Sequence, residues 1–384
     1  MSTIGIICEY NPFHNGHIYH LQKVKEMFPE SLIVLVMSGN FTQRGIPSVI
    51  DKWNKTEIAL KYGIDLVIEL PFVFATQGAD IFAKGAISIL KEMQVDYLVF
   101  GSESNDIESL KKMADISINN LEYQKKIKKY LKEGINYPTA LSKALEEFSN
   151  STITTPNDLL GLSYIKEVMK QQANIVPISI QRTNDYHSTD LDSISSATGI
   201  REALSHNKDI KGYVPIEVNE LTKKRIFLQE DYFSFLKYKI QTTEDLSIFQ
   251  TVDEGIEARI KKCINDAISW EDLVKKIKTK RYTYNKINRM LIHILCNFTK
   301  EKANSWQEIE SIRILGFSKD GQTYLNKIKK DIKLPIITTF SKGNSDMLKY
   351  EQVITSIYAS ILPEKEKNIL IKQEYQNKPK MREY

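Results

Sequence analysis

The stretch Ile7-Cys-Glu-Tyr-Asn-Pro-Phe-His-Asn-Gly-His-Ile-Tyr-His20 decides the fold. Thr3–Cys8, which leads into it, is an uncharged, Ile-rich run of the kind that forms a strand buried on both faces. Ile18–Met27, which leads out of it, has the spacing of an amphipathic helix. Between the two, Asn11-Pro12 is turn chemistry, and Gly16 lets backbone approach a ligand closely. A strand that turns into a helix at His17 is the unit of a doubly wound sheet, whose ligands sit beyond the carboxyl ends of the strands. A helix N-terminus there offers unpaired N–H groups and partial positive charge, which suits phosphate. The imidazoles of His14 and His17 add donors that can follow a phosphoryl oxygen as its charge grows.

Working outward, the alternation repeats. Leu32–Met37, Asp65–Leu70, Tyr97–Gly101 and Ile175–Ile180 read as further parallel strands, with helical segments at Lys52–Tyr62, Ala79–Met93 and Asp158–Lys170. This predicts an α/β fold with a doubly wound, Rossmann-like parallel sheet and right-handed crossovers. Ser104–Phe148 is helical in pattern and rich in lysine (Lys125, Lys126, Lys128, Lys129), most simply a solvated helical insertion. Ile200–Ser205 closes the first domain as a short helix, and Asp209–Pro215 looks like a link. Ile216–Thr299 reads as several helices, followed by candidate strands at Ile314–Phe317 and Leu334–Thr339. The expected organisation is an α/β domain over residues 1–205 and a mainly helical, basic domain over 216–384.

Composition narrows the class. With 42% hydrophobic and 26% charged residues the chain is an ordinary globular mix, and no apolar run approaches the ~18 residues of a membrane span. The N-terminus lacks the basic segment of a signal peptide, and Cys8, Cys263 and Cys296 show no metal-like spacing, so the expectation is a cytoplasmic protein with reduced thiols. Residues 1–200 carry 19 Lys+Arg against 23 Asp+Glu, and the rest carry 34 against 25, so net charge runs from −4 to +9. One half doing chemistry and the other holding a polyanion fits this split; a general coat of surface lysine fits it equally.

Phe13-His14-Asn15-Gly16-His17 resembles the His-x-Gly-His signature of the HIGH superfamily, the nucleotidyltransferases and class I aminoacyl-tRNA synthetases. Ile194-Ser195-Ser196-Ala197-Thr198-Gly199-Ile200-Arg201 resembles their second motif, Ile-Ser-Ser-x-x-x-x-Arg. The whole run Glu9–His17 is closer still to the tRNA(Met) cytidine acetate ligases. So are Met37-Ser-Gly-Asn-Phe-Thr-Gln-Arg-Gly45, Asp65-Leu-Val-Ile-Glu-Leu-Pro71, Phe100-Gly-Ser-Glu103, Pro156-Asn157, and Arg182 with Tyr186-His187. The resemblance covers the first domain throughout and the second more loosely.

That resemblance implies an ATP site made of Ile7, Cys8, Glu9, Tyr10, Asn11, Pro12, Phe13, His14, Asn15, Gly16, His17, Ile18, Tyr19 and His20, joined by Gly101, Asn157 and Arg182. His14 and His17 are then catalytic, and Ser195, Ser196, Thr198 and Arg201 contact the leaving pyrophosphate. It also implies the reaction: acetate and ATP give acetyl-adenylate, and N4 of the wobble cytidine of elongator tRNA(Met) takes the acetyl group. ATP would carry Mg2+ on its phosphates, with no metal held by protein ligands alone, and no obligate protein partner is evident. A nucleotidyltransferase that adenylylates a small phosphorylated cofactor precursor shares both motifs but needs no basic second domain. A nonenzymatic tRNA-binding protein would not need the motifs.

Each residue also has a plainer reading. His14 and His17 can be turn histidines satisfied by backbone, and with His20 their spacing imitates a metal site, although zinc usually draws on Cys or a fixed carboxylate as well. His20, a turn further on, reads as peripheral. Arg44 lies in a polar loop that is either a substrate lip or a crossover. Gly101 either admits an adenine or ribose face or simply turns the chain. Asn157 after Pro156 looks like a helix cap, and Ser195, Ser196, Thr198 and Arg201 can open a helix. Leu273–Lys300 has no acidic residue but carries Lys275, Lys276, Lys278, Lys280, Arg281, Lys286 and Arg289 among Tyr282 and Tyr284. Such a stretch suits RNA backbone and stackable bases; a solvated helix face is its rival.

Overall fold

The structure, a computed structural model, describes residues 2–149, 153–182 and 196–382. Five strands, β1 (Thr3–Cys8), β2 (Leu32–Ser38), β3 (Leu66–Leu70), β4 (Tyr97–Ser102) and β5 (Val176–Gln181), lie parallel in the order β5-β4-β1-β2-β3. Ile6 pairs with Leu35, and Leu35 with Val67. Every residue of β2 is buried, so helices cover both faces of the sheet at its centre, as its unbroken Leu-Ile-Val-Leu-Val-Met run requires. The order reverses between β1 and its neighbours, which places a switch point above the carboxyl end of β1.

The second half does not leave this sheet. After helices Ile216–Lys224, Phe233–Thr242, Ile256–Asp266, Trp270–Ile277 and Tyr284–Leu295, the chain returns as β6 (Ile312–Phe317), antiparallel to β3, with Glu69 opposite Arg313. The short strands β7 (Ile336–Ile337) and β8 (Lys380–Met381) both run parallel to β6. The expected boundary between 205 and 216 is therefore no boundary of the sheet, and Leu334–Thr339 contributes only two strand residues. β3 would otherwise present an apolar edge of unpaired backbone, and β6 covers it. A buried ionic cluster pins the join. Lys52 Nζ lies 2.7 Å from both Glu69 Oε1 and Glu374 Oε1, and Arg313 bonds Glu374 and stands 3.5 Å from Glu69.

The insertion after β4 is three helices, Ile107–Asn119, Leu121–Lys132 and Tyr137–Ser149. It is only half solvated: Leu110, Met113, Tyr123, Leu141 and Leu145 are buried, and its first helix packs on Pro156–Lys170. Among the described residues no helix is long and apolar enough to cross a membrane.

Candidate active site

β1 delivers Cys8 to the top of the sheet, and the chain then turns through Tyr10 at φ 47°. A non-glycine residue there costs about 1–3 kcal/mol and persists only where packing over-determines it. The Tyr10 ring, 2% exposed, is held 4.8 Å from Phe13 and 4.7 Å from His17. Asn11 stitches the turn to the loop after β2: its amide donates to Pro47 O at 3.1 Å, and its carbonyl accepts Val49 N–H at 2.8 Å.

His14 is the N-cap of helix Asn15–Met27. Its Nδ1 accepts the Gly16 N–H at 3.0 Å, and its own N–H donates to His17 Nδ1 at 3.1 Å. With both Nδ1 atoms accepting, the proton of each neutral ring sits on Nε2, which makes each a fixed donor. Burial, assisted by Arg182 and Arg201, pushes His14 down to about 3, and burial with its histidine neighbours holds His17 well below its usual value. The helix N–H groups themselves are taken. Asn15 donates to Tyr213 O at 3.1 Å, and His17 and Ile18 donate to His14 O at 2.8 and 3.2 Å. The donors this turn leaves open are therefore imidazole and guanidinium groups, not the bare backbone N–H groups the sequence suggests.

The second motif closes on the first. Ser196 caps helix Ala197–Ser205 by accepting Gly199 N–H at 3.2 Å. Thr198 Oγ1 accepts from Arg44 at 3.0 Å and from Arg201 at 3.1 Å, and Arg201 donates to Asn11 O at 2.7 Å. Arg44 is thereby part of the site. Ser195, Tyr186 and His187 lie outside the described residues. Arg182 crosses over Gly101, where an added Cβ would lie 3.2 Å from Arg182 Cγ; the missing side chain makes room for that arginine. Arg182 Nε is buried without a hydrogen-bond partner among the described residues, as is His20 Nε2. Asn157 donates to Glu103, whose other oxygen accepts Asp158 N–H at 3.1 Å. Asp158 in turn accepts Glu103 N–H at 3.1 Å, Ser104 N–H at 3.0 Å and the Thr155 hydroxyl at 2.8 Å, so it shapes the turn after β4.

These parts line one cavity of about 880 Å3. From the turn after β1 and its flanks it receives Ile7, Cys8, Glu9, Tyr10, Asn11, His14, Gly16, His17, Tyr19 and His20, and from elsewhere Gly101, Asn157, Arg182, Ser196, Thr198 and Arg201. Pro12, Phe13, Asn15 and Ile18 are not in its wall: Phe13 is 1% exposed, and Asn15 Nδ2 donates to Gly212 O at 2.8 Å, so these residues shape the turn. His20 is in the wall and not peripheral.

The basic stretch of the second half divides. Lys275 and Lys276 pair with Glu271 and Asp272 on their own helix, and Lys278 lies over the Tyr284 ring at 5.3 Å. Tyr282 is buried, with its hydroxyl 3.2 Å from Glu254, and is closed to stacking. Lys286 and Arg289 line the cavity, with Arg289 donating to Gln43 O at 2.9 Å, and the exposed Arg281, 3.3 Å from Glu254, borders it. A stretch free of acid in sequence thus meets acid in space. One further residue had no sequence signal: Lys55, buried, donates to the carbonyls of Glu9, Ser38 and Gly39 at 2.8–3.0 Å and ties β1 to β2 beneath the site. Burial pushes its ammonium down to about 8 against the pull of Glu9. Among the described residues no group of three or more His, Cys, Asp or Glu side chains converges as a metal-ligand set.

Residues 1–374 match the family model described as HIGH Nucleotidyl Transferase. A tRNA(Met) cytidine acetate ligase of Anoxybacillus flavithermus is 39% identical over 99% of this chain and all of its own length. The ligase of the same name from Caldicellulosiruptor saccharolyticus is 42% identical over 87% of this chain and 86% of its own. The crystal structure of Thermotoga maritima TmcAL bound with alpha-thio ATP superposes with a TM-score of 0.90 at 31% identity, covering 99% of both chains. The chain belongs to the tRNA(Met) cytidine acetate ligase family of HIGH nucleotidyl transferases.

Proposed function

We propose that this chain is an ATP-dependent ligase that activates acetate as acetyl-adenylate and transfers the acetyl group to N4 of the wobble cytidine of elongator tRNA(Met). The observation that carries the reading is the convergence of both motifs on one cavity, in which two neutral imidazoles and the guanidiniums of Arg44, Arg182, Arg201 and Arg289 surround a space fit for a triphosphate.

In the first step an acetate oxygen bonds to the α-phosphorus and pyrophosphate leaves. The nucleophile is already an anion, so the protein's task is positioning and charge stabilisation. His14 and His17 offer Nε2–H donors fixed by their Nδ1 bonds, and being neutral they can strengthen hydrogen bonding without giving up a proton. In this reading Arg201, bridged to Asn11 and Thr198, and Arg182, both lining the cavity, oppose the charge that gathers on the leaving pyrophosphate. In the second step cytosine N4 bonds to the acyl carbon, AMP leaves and N4 loses a proton. Because the N4 lone pair is delocalised into the ring, the acyl group has to be activated first. Mg2+ belongs in this proposal on the ATP phosphates. The Glu9 carboxylate at the phosphate end is already engaged: Oε1 accepts Gln43 N–H at 2.6 Å, and Oε2 is 4.0 Å from Arg44 Nε.

Residues 1–205 hold the nucleotide in this reading, and 216–384 contribute Arg281, Lys286 and Arg289 to the same cavity and present RNA to it. The cytoplasm is the place of action, with Cys8, Cys263 and Cys296 as free thiols. Incubation with labelled pyrophosphate, ATP and a panel of carboxylic acids tests the chemistry. Label should enter ATP with acetate and without RNA; label entering ATP with no acid, or with none of the panel, rejects the proposal.

A further inference from the structure

One end of the cavity has no use for a phosphate chain. Its wall is Ile81 at the start of helix Ala79–Glu92, Leu131, Ile135 and Tyr137 from the insertion, and Leu159 and Leu160. Ile81, Leu131 and Tyr137 line the cavity yet stay 39%, 37% and 43% exposed, so this end opens to solvent. Apolar side chains exposed together from separate elements mark a surface that a ligand covers. Tyr137 is anchored: its hydroxyl donates to Asp80 Oδ2 at 2.9 Å, and Asp80 Oδ1 accepts from the buried Lys166 Nζ at 2.8 Å. An aromatic ring is thus tethered through its hydroxyl to a half-buried carboxylate, itself paired with a buried lysine, while almost half its surface remains open.

Positive charge flanks the opening on both sides. Lys128 and Lys132 stand one turn apart on helix Leu121–Lys132, with Leu131 on the same side, and both are exposed. Lys125 and Lys126 pair with Glu122 and Glu147, whereas neither Lys128 nor Lys132 has an ion-pair partner among the described residues. The helix stops at Gly134, φ 82°, whose N–H donates to Leu131 O at 3.0 Å. That turn lies against the second half, since a Cβ at Gly134 would be 3.9 Å from Arg281 Nη2. The mouth is therefore framed by the insertion and by the turn carrying Arg281 and Lys286, which also line the cavity.

We infer that this end receives the target base: an unpaired pyrimidine nucleotide of RNA enters between the insertion and the Arg281 turn, stacks on Tyr137 beside Ile81 and Leu131, and sets its flanking phosphates against Lys128 and Lys132. The inference rests on the ligase reading above. A base borne by a macromolecule has to come from solvent and leave its stack to reach an activated group inside a cavity. Single-stranded bases are held by aromatic platforms beside cationic tracks, which is the combination found at this mouth. The triphosphate of ATP is matched by Arg44 and Arg201 at the turn after β1, tied to Thr198 and Asn11. The insertion, which the sequence presents as a solvated appendage, is then the element that accepts the substrate base.

The full-length protein is assayed for acetate-dependent pyrophosphate exchange without RNA and, separately, for acetylation of tRNA. Tyr137→Ala should lower kcat/KM for tRNA by about 10- to 100-fold, the loss of one base–aromatic stack, with exchange retained. Tyr137→Phe keeps the ring and should restore acetylation. Lys128→Ser with Lys132→Ser, on exposed side chains, should reduce the slope of log affinity against log salt by about 0.7 for each phosphate no longer neutralised. A Tyr137→Ala protein that acetylates tRNA at the parental kcat/KM overturns the inference. So does one that loses exchange and acetylation in equal proportion, because the lobe then serves ATP, and so does an unchanged salt slope in the lysine pair. A parental protein lacking exchange altogether would instead refute the ligase reading, which keeps the two failures apart.

Discussion

Replacing Gly45 with alanine tests how tightly the loop bearing Arg44 is seated on the second half. Gly45 has φ 75°, and an added Cβ would lie 2.2 Å from Arg289 N, 2.5 Å from Asn288 C and 2.7 Å from Arg289 Cα. All three are main-chain atoms of helix Tyr284–Leu295, so no change of rotamer relieves the contact. Carbon contacts are comfortable only from about 3.5 Å, so loop and helix have to separate by about 1 Å or more. Left-handed backbone costs a residue with a Cβ about 1–2 kcal/mol. Forcing an extra methyl between packed elements adds about 1–3 kcal/mol. Gly63 isolates the first effect, because its φ is 100° and nothing lies within 4 Å of its Cβ position. Urea unfolding should therefore place Gly45→Ala about 1–3 kcal/mol below Gly63→Ala. Activity should follow. The separation moves Arg44 away from Thr198 and Arg289 away from Gln43. Displacing one donor that stabilises developing charge typically costs about 100-fold or more, so acetate-dependent exchange should fall by that factor in Gly45→Ala and stay near parental in Gly63→Ala. Equal stability and equal exchange in the two variants would refute the close seating of this loop.

Three further outcomes are expected. His14→Asn keeps a side-chain acceptor for the helix cap but removes the Nε2–H, so exchange should drop about 100- to 1,000-fold with urea stability unchanged; a loss of both together would make the residue structural. Burial holds His14 near 3 and His20 near 4, against about 6.5 unfolded, so below pH 6.5 the unfolded chain binds more protons and stability declines on acidification. His20→Gln should flatten that decline by up to about 1.4 kcal/mol per pH unit between about 4 and 6.5, and unfolding curves of the same slope would show that His20 does not titrate between the two states. Glu374→Gln leaves Lys52 and Arg313 buried with too little countercharge and should cost about 3–5 kcal/mol in urea melts, whereas parental stability would mean the cluster contributes nothing.

The sequence by itself marked the parallel strands, most plainly at the centre of the sheet, because a strand buried on both faces has to be an apolar run and Leu32–Met37 of β2 is one. It also determined the turn after β1. His14, Gly16 and His17 are local neighbours, and the cap and the hydrogen bonds that join them depend on separations of a few residues. What depends on distant partners was decided only by the tertiary structure. Nothing local tells Arg289 that it will reach Gln43, or Lys55 that it will meet the carbonyls of Glu9, Ser38 and Gly39. Lys275 through Arg289 look like one basic face until the fold turns Lys286 and Arg289 to the cavity, sets Glu254 against Arg281, and sets Glu271 and Asp272 against Lys275 and Lys276. β6 was visible as an apolar run, but its place on β3 follows from the buried pairing of Arg313 and Lys52 with Glu69 and Glu374. Tyr137 carries no signal in its neighbourhood; it becomes the rim of a cavity because the fold brings its helix against Asp80, 57 residues earlier, and Ile81. Apolar periodicity is written along the chain, whereas the partner of a buried charge is set by folding, because a charge removed from water has to find its counter-ion wherever the packed elements bring one.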